Sequence, residues 1–539
     1  MPKIDVLDFR GEIPKIAVRK LPPEAADQAV NLRISSGDLE AWNGLLPVAA
    51  TLRSGLVKSI FLYEDIHWFS WNGDVSAIKS PIAQDSYARV YFTGDGVPKV
   101  TSNLIATGGN PKPVNAYDLG VQAPDAPITV VVTPDGGADP DDFSDDETRF
   151  YVMTYVTEYG EEGPPGLPSA AVELASPSTD TVTLTLPTPA TNTQNITTKR
   201  IYRTVTTGAS TEYFYVGDVP LATTVLVDSI TDAQLGGLLA TTEFDAPPAN
   251  MQGLVMGANG MAAGFAGNEF IPSESFLPYA YPVGYRQSLE HDIVAIAATS
   301  TGFVVATKGF PHAFLGSSPD ALSSQKLDVK QACVSGASLV DMGEFAIYAS
   351  PDGLVAAGES RAEVLTLDLF SRREWQELNP ETIHAYYYED YYIGFYGDTA
   401  GTGAGIGGFI YNPGTSDFIF LDFYATAGFN DLETDVLYLV VSGALQAWDG
   451  AAGDLTYRWR SKIFRGDTTA FTCAKVYTTD PANVGFKMWV DGVQVVNVAS
   501  LIEEAFRLPS VRGDEWQFEL EGTAPVQRLV VDYSLGDLE

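Results

Sequence analysis

Few residues of this 539-residue sequence stand at spacings typical of catalysis or metal binding. No His-Glu-x-x-His pair occurs, and no Gly-x-Ser-x-Gly nucleophile turn is present. Carboxylates are so abundant that counting them does not exclude a glycosidase pair. We therefore expect no enzymatic activity, and we predict no catalytic, cofactor-binding or metal-ligating residue and no cofactor. The histidines, none of which pair at metal-ligand spacing, are His67, His291, His312 and His384.

Three segments have compositions that could still bind a ligand. The acidic segment 135–147 offers oxygen ligands for calcium, but its spacing is not that of an EF-hand, which favours a solvated loop. The glycine-rich segment 401–408 lacks the ending of a P-loop and precedes a strand-like run, which favours a hairpin loop. The tyrosines in 386–388 and 391–392 could stack on sugars or bases. Because alternate residues of a strand face opposite ways, packing between sheets is the favoured interpretation.

The charge balance restricts the classes of partner. With 32 Lys and Arg against 69 Asp and Glu, the net charge is −37. Such a surface repels nucleic acid and anionic lipid, which argues against a DNA or RNA reader. It does not exclude a channel through which DNA passes without specific binding.

Cysteine usage and hydropathy indicate the compartment. Cys333 and Cys473 lie in apolar β-like contexts and are predicted to be buried thiols. The first residues lack the apolar core of a signal peptide, and no apolar run reaches the roughly 18 residues of a membrane span. We expect synthesis in a reducing compartment and no membrane-spanning segment.

Turn residues and short apolar runs predict an all-β fold. Segment 337–363 has three apolar runs separated by Asp341-Met342-Gly343 and Ser350-Pro351-Asp352-Gly353, which is typical of a β-meander. From residue 253 onward, segments with this meander pattern start roughly 40–50 residues apart, which is the period of β-propeller blades. Segments with a related pattern begin at Ser59, Gly253, Asp292, Ile383 and Thr434.

A different pattern occupies residues 121–248. Six or seven strands are predicted in about 120 residues, which favours a β-sandwich. The strand that contains Ile201-Tyr202-Arg203 resembles part of a fibronectin type III domain. Since segments with the propeller-blade pattern flank residues 121–248, we expect this sandwich to be an insertion between blades.

These patterns predict four domains. They are an N-terminal segment with the first propeller blade or blades (1–120), an inserted fibronectin type III-like sandwich (121–248), the remaining blades (249–458) and a small C-terminal β domain (459–539). Within the first, Pro23 and Glu24 favour one or two helical turns over residues 21–30.

Each end of the chain contains a motif, a set of residues at defined spacing. Neither motif indicates catalysis or ligand binding. The N-terminal set is Phe9-Arg10-Gly11-Glu12-Ile13-Pro14-Lys15, Leu21-Pro22, Ala26, Ala29-Val30-Asn31, Ser36-Gly37-Asp38-Leu39 and Trp42. The C-terminal set is Tyr457-Arg458-Trp459-Arg460-Ser461-Lys462, Arg507-Leu508-Pro509-Ser510 and Glu521-Gly522. Together they resemble a family of tailed-bacteriophage virion proteins, similar to the tail nozzle (tail tubular) proteins of short-tailed phages.

The resemblance implies a structural component of the virion tail, assembled in the host bacterial cytoplasm. It implies a homo-oligomer, a hexameric ring, that surrounds the DNA exit channel and acts in DNA ejection. Its partners would be a tail adaptor or portal-proximal ring and the tail fibres or spikes, and DNA would pass through without specific binding.

Two other classes remain open at this point. The first is a peripheral tail or receptor-binding β-propeller that recognises a host surface glycan. The second is a propeller that degrades host polysaccharide, since propellers also support glycosidases and lyases.

Overall fold

The computed structural model is nearly all β, with 46% strand and 6% helix, which confirms the predicted class. Residues 135–145 and 401–404 of the predicted loops at 135–147 and 401–408 lie outside the described residues, and Gly407 and Gly408 begin a strand. None of the helices in the described part of the chain is long and apolar enough to cross a membrane. The structure describes residues 3–34, 36–134, 146–175, 177, 179–205, 212–397, 405–534, 536 and 538.

The strands follow one another along the chain in five groups. The N-terminal strands are β1 (Ile4–Val6), β2 (Ala26–Val30), β3 (Leu32–Arg33), β4 (Glu40–Ala41) and β5 (Leu46–Pro47). The second group is β6 (Ser59–Tyr63), β7 (His67–Trp71), β8 (Ser76–Lys79), β9 (Val90–Thr93), β10 (Lys99–Thr101) and β11 (Tyr117–Asp118). The third is β12 (Thr129–Thr133), β13 (Glu147–Arg149), β14 (Tyr151–Thr157), β15 (Val172–Leu174), β16 (Thr181–Thr185), β17 (Ile196–Thr204), β18 (Tyr213–Pro220) and β19 (Val225–Asp228).

The fourth and fifth groups complete the chain. The fourth is β20 (Gln252–Met256), β21 (Met261–Ala266), β22 (Glu269–Ser275), β23 (Gln287–Ser288), β24 (Ile293–Thr299), β25 (Gly302–Thr307), β26 (His312–Leu315), β27 (Ser323–Lys326), β28 (Val340–Asp341), β29 (Ala346–Ser350), β30 (Gly353–Ala357), β31 (Ala362–Val364), β32 (His384–Tyr388), β33 (Tyr391–Tyr396), β34 (Gly407–Asn412), β35 (Asp417–Leu421), β36 (Ala425–Asp431), β37 (Val436–Val441) and β38 (Ala444–Ala447). The fifth is β39 (Tyr457–Ser461), β40 (Phe464–Thr469), β41 (Cys473–Thr478), β42 (Val484–Val490), β43 (Val493–Val498), β44 (Ala505–Arg507), β45 (Gly513–Gly522) and β46 (Val526–Asp532).

Helical segments are short. The α-helix α1 (Arg372–Gln376) begins with a capping box in which Ser371 and Glu374 bond to each other's backbone N–H, as expected for this pair at a helix start. The 3₁₀ turns are Val18–Lys20, Asp232–Gln234, Ala258–Gly260, Val283–Tyr285, Pro319–Ala321, Gly336–Ser338, Pro380–Thr382 and Pro481–Asn483.

A ring of small antiparallel sheets surrounds one central cavity, which we call the axial cavity. Four sheets are meanders in chain order: β8–β11, β20–β23, β24–β27 and β28–β31. Strands such as β25 and β29 are buried along their whole length. A sheet that is apolar on both faces must be covered on both faces, so neighbouring sheets pack against each other. Phe265 of β21 contributes to the wall of the axial cavity, and the other strands that line it are β6, β8, β20, β24, β28, β32 and β36.

The ring takes one strand from the N-terminal segment. Strand β5 pairs with β38 and completes the four-stranded sheet that begins at β36. The N–H of Val48 also donates to the Leu445 carbonyl at 2.9 Å. The last sheet of the ring is therefore completed by residues about four hundred positions earlier in the chain.

Strands β12 to β19 form further sheets beside the ring. Two have the orders β12-β16-β19 and β14-β17-β18, and β13 pairs with β15. Their core residues, including Tyr151, Leu184 and Ile201, belong to one apolar cluster with Tyr91 and Leu254 of the ring. The inserted sheets and the ring therefore share a continuous core.

A buried ionic group reinforces this contact. Arg89 precedes β9, and its guanidinium lies 2.7 Å from Asp85 and 2.7 Å from Glu161, which lies in the turn after β14. The Tyr91 hydroxyl donates to the same Glu161 carboxylate at 3.2 Å. Burial raises the pKa of Glu161, and Arg89 opposes that shift.

The two chain ends form a common β domain. Strand β1 pairs with β46, and β2 lies between β35 of the ring and β39. A ten-stranded sheet results, with the path β32-β33-β34-β35-β2-β39-β45-β42-β43 and β40 on β45. The helical turns predicted over residues 21–30 are wrong, because β2 pairs on both sides and buries Ala26 and Ala29. This environment overrides a weak local helix preference.

Removal of the buried cation should loosen the inserted sheets. We expect Arg89→Met to lower the free energy of unfolding by about 3–5 kcal/mol, because two buried carboxylates lose their partner. The measurement is urea denaturation followed by fluorescence. Lys99→Met is the control, since Lys99 pairs with Asp95 at 3.1 Å on the more exposed surface and should cost less than about 1 kcal/mol. Equal losses of unfolding free energy in the two variants would contradict a stabilising role for the buried ion pairs of Arg89.

Candidate functional site: the terminal joint and the axial cavity

The N-terminal and C-terminal motifs meet in the structure. We call their meeting point the terminal joint, defined by Phe9, Gly11, Glu12, Asp417 and Trp459. The rings of Phe9 and Trp459 pack edge to face with centroids 4.9 Å apart and an interplanar angle of 88°. Both side chains are 0% exposed. Two aromatic residues 450 positions apart in sequence therefore anchor the joint through close packing.

Hydrogen bonds position the backbone beside this aromatic pair. The Trp459 indole N–H donates to the Arg10 carbonyl at 3.2 Å. The Gly11 N–H donates to Asp417 Oδ1 at 2.9 Å, and Arg10 Nη1 lies 3.3 Å from the other carboxylate oxygen. A Cβ on Gly11 would lie 2.5 Å from the Phe418 carbonyl oxygen. Glycine is therefore required here for close backbone approach.

Strand β2 links the ring to the C-terminal strands through backbone pairing. Val30 pairs in parallel with Phe420 of β35, and Ala29 pairs antiparallel with Trp459 of β39. Strand β39 then pairs with β45, where Arg458 stands opposite Glu521. The backbone hydrogen bonds run without interruption from the ring into the C-terminal domain, which favours a rigid connection.

Among the titratable groups of the terminal joint, Glu12 has the clearest pKa shift. Its Oε1 accepts a hydrogen bond from the Ala29 N–H at 2.6 Å. Burial raises the pKa of Glu12 to about 8, the Ala29 bond opposes the shift, and the nearby Asp27 adds to it. Asp27 accepts a hydrogen bond from Gln517 Nε2 at 2.9 Å.

Other residues of the two chain ends also serve packing and pairing. Arg528 donates two hydrogen bonds to Asp5, at 2.7 and 2.6 Å, and these bonds lower the pKa of Asp5. The Trp42 indole N–H donates to the Leu32 carbonyl at 2.8 Å, and the Arg33 guanidinium lies 4.6 Å from the Trp42 ring centroid. These side chains bind other groups of the same chain, so we interpret the contacts as structural.

The axial cavity has a volume of about 1000 Å³. Lys58 Nζ lies 3.9 Å from Asp74 Oδ2, and His384 Nδ1 lies 3.1 Å from the Tyr386 hydroxyl. Burial lowers the pKa of His384 to about 4 and raises the pKa of Tyr386. The imidazole is therefore neutral at pH 7. Polar groups along the wall come from Lys58, Asp74, Glu381, His384, Tyr386 and Tyr424.

The ligand candidates of the sequence do not assemble into a site. Among the described residues, no group of three or more His, Cys, Asp or Glu could hold a metal ion. Tyr392 is fully buried and donates to the Ser338 carbonyl at 2.8 Å, while Tyr388 and Tyr391 pack on Trp42. The packing interpretation is confirmed for these tyrosines, whereas Tyr386 lines the axial cavity.

Both cysteines are buried, as predicted. Cys333 Sγ lies 3.2 Å from the Ser335 carbonyl, and burial raises the pKa of this thiol to about 12. Cys473 Sγ lies 3.3 Å from the Asp532 carbonyl. The two thiols are thus part of the packed interior.

Comparison with known proteins finds no matching family model and no matching curated protein. Solved structures do match, at low similarity. An exo-β-1,3-galactanase from Phanerochaete chrysosporium is 9% identical, with a TM-score of 0.18 over 90% of this chain and 100% of that one. The extracellular domain of a hybrid two-component system from B. thetaiotaomicron is 9% identical, with a TM-score of 0.20 over 93% and 79%. PorZ, a surface component of the type-IX secretion system of Porphyromonas gingivalis, is 10% identical, with a TM-score of 0.26 over 89% and 82%. At these TM-scores the likeness carries no argument about fold or function.

The shifted pKa of Glu12 predicts a pH dependence of stability. Its folded pKa of about 8 lies above the usual 4.5, so the folded chain keeps a proton that the unfolded chain loses between these values. The stabilisation is complete below about pH 4.5 and is lost as the pH rises through about 8. Glu12→Gln keeps the acceptor for Ala29 without the charge. We expect it to exceed the native chain in stability at pH 8.5 by about 1 kcal/mol or more.

Urea denaturation at pH 5, 7 and 8.5 checks this expectation. Glu24→Gln, in the same segment, removes the same charge outside the joint and is the control. An equal pH dependence in Glu12→Gln and the native chain would show that Glu12 does not carry the effect.

Proposed function

We propose that this chain is a structural component of a bacteriophage tail, the nozzle ring that forms the DNA exit channel. The observation that carries the proposal is the terminal joint. The two motifs that resemble tail nozzle proteins come from opposite ends of the chain, and the fold brings them into direct contact through Phe9, Arg10 and Trp459. Residues that serve only to hold one another suit a load-bearing protein better than an enzyme.

The architecture proposed with this function is a seven-bladed β-propeller. Its support is the set of small sheets whose first strands line the axial cavity, an arrangement typical of propellers. The pairing of β5 with β38 would close the ring with strands from both ends. The sheets of residues 129–228 would be the fibronectin type III-like insertion, on the periphery where neighbours or tail fibres could contact it.

The size of the axial cavity constrains where DNA could pass. A volume of about 1000 Å³ is that of a small-molecule pocket, for which about 300–1,000 Å³ is usual. The major groove of duplex DNA alone is about 12 Å wide. The duplex would therefore pass between several copies of the chain rather than through the axis of one. The net charge of −37 suits such a lumen, because phosphates would not adhere to it.

Cryo-electron microscopy of virions that contain this chain tests the proposal. We expect a closed ring of copies around the tail channel, next to an adaptor or portal-proximal ring, with the axial cavity of each copy away from the DNA path. Density only at the tail periphery, with one ring face turned outward, would contradict the nozzle. Absence of the chain from purified virions, checked by mass spectrometry, would remove the virion role altogether.

A receptor-binding role is the second candidate, favoured by the axial cavity itself. Its volume suits a short glycan, and Tyr386 and Tyr424 could supply aromatic contacts beside the polar groups of Lys58 and Asp74. On this alternative the isolated chain binds host surface glycans on an array. Lys58→Ala and Asp74→Ala should then each weaken binding roughly tenfold or more, because a polar contact is lost. Unchanged binding in both variants would place any glycan site elsewhere.

A further inference from the structure

Strand β43 ends the ten-stranded sheet and leaves one edge open. Within the described residues it pairs with β42 alone. An open edge presents a row of backbone N–H and C=O groups, and the partner that such a row recognises is another β-strand. This edge is therefore a candidate interaction surface.

The edge is free of charge in a strongly acidic chain. Residues 493–502 contain no Asp, Glu, Lys or Arg, whereas Asp491 precedes them and Glu503 follows. Val493 is 66% exposed and Ile502 is 92% exposed. Two copies with a net charge of −37 each repel one another over most of their surfaces. A neutral edge is where two such copies can approach.

The sequence of β43 is symmetric in residue class. Val493-Gln494-Val495-Val496-Asn497-Val498 has the same order of valines and amides from either end. Gln494 stands opposite Trp489 of β42, and Asn497 stands opposite Lys487. A register shift between these pairs inserts one extra residue into β43. The two amide side chains therefore share a face although they are three positions apart, and both are exposed.

We propose that two copies of the free chain pair their β43 edges antiparallel, about a two-fold axis between Val495 and Val496. Gln494 of each copy then faces Asn497 of the other, and Val493 faces Val498. Amide–amide and valine–valine pairs across strands are favourable. In the single chain, Gln494 Nε2 donates to the Val496 carbonyl at 3.3 Å, and in the pair this amide turns to the other copy.

The pair is weak and depends on concentration. Six residues of strand cover far less than the roughly 1,200–2,000 Å² of a stable interface. The inference goes beyond the proposed function, because a two-fold contact cannot be repeated around a cyclic ring. It describes the free chain.

Engineered cysteines test the register. The double variant Gln494→Cys/Asn497→Cys should form disulfide-linked dimers under mild oxidation, seen on non-reducing gels and by mass spectrometry. Each single variant is its control, since two copies of one position lie about 10 Å apart in this register, beyond the roughly 7 Å limit for a disulfide. The native Cys333 and Cys473 are buried and should not react. Equal cross-linking in a single variant would overturn the register.

Charged substitutions at positions 494 and 497 test the two-fold symmetry of the proposed pair. Gln494→Lys/Asn497→Lys places like charges opposite each other twice and should raise the dimer Kd at least about tenfold in sedimentation equilibrium. Gln494→Lys/Asn497→Glu places opposite charges in the same positions and should restore dimers. Ser324→Lys, on exposed strand β27, should have no effect. A native chain that stays monomeric at its highest soluble concentration, or a charge exchange that does not restore dimers, would overturn the proposal. Rings in virions would remain possible in either case.

Discussion

The structure depends on the pairing of β2 with strands on both of its sides. This strand pairs with β35 of the ring and β39 of the C-terminal domain, and its Ala26 and Ala29 are buried. Buried backbone groups must find hydrogen-bond partners, so neither neighbour is complete without β2. The N-terminal segment is therefore an integral part of the fold, and the aromatic pair of Phe9 and Trp459 packs directly beside it.

The same need for partners explains how the ring is completed. A sheet begun at β36 requires a fourth strand, and β5 supplies it from the other end of the chain. The inserted sheets are held in a different way, by a shared apolar core and the buried group of Arg89, Asp85 and Glu161. The ring, the inserted sheets and the terminal strands that the structure describes are thus connected through buried contacts.

The surplus of carboxylate groups affects mainly the surface of the protein and not its interior. Buried Glu161 is paired with Arg89, whereas desolvation of the partly buried Glu12 raises its pKa because the charged form is disfavoured. The surplus of carboxylates produces repulsion between copies, and this repulsion is weaker where the surface is neutral. Strand β43 provides such a neutral edge, whereas an adjacent strand such as β42 carries Lys487 bonded to Glu519 and Glu521.

The sequence by itself determined the all-β class, the run of short strands, the buried cysteines and the absence of any metal-binding spacing. Those features depend on local turn chemistry and on the alternation of neighbouring side chains, which a sequence displays directly. Only the tertiary structure decided that residues 26–30 form a strand, that Gly11 must approach Phe418, and that the carboxyl of Glu12 is desolvated. Each of these results from contacts with residues hundreds of positions away, and the burial they create changes backbone preference and carboxyl pKa in ways that local patterns do not encode.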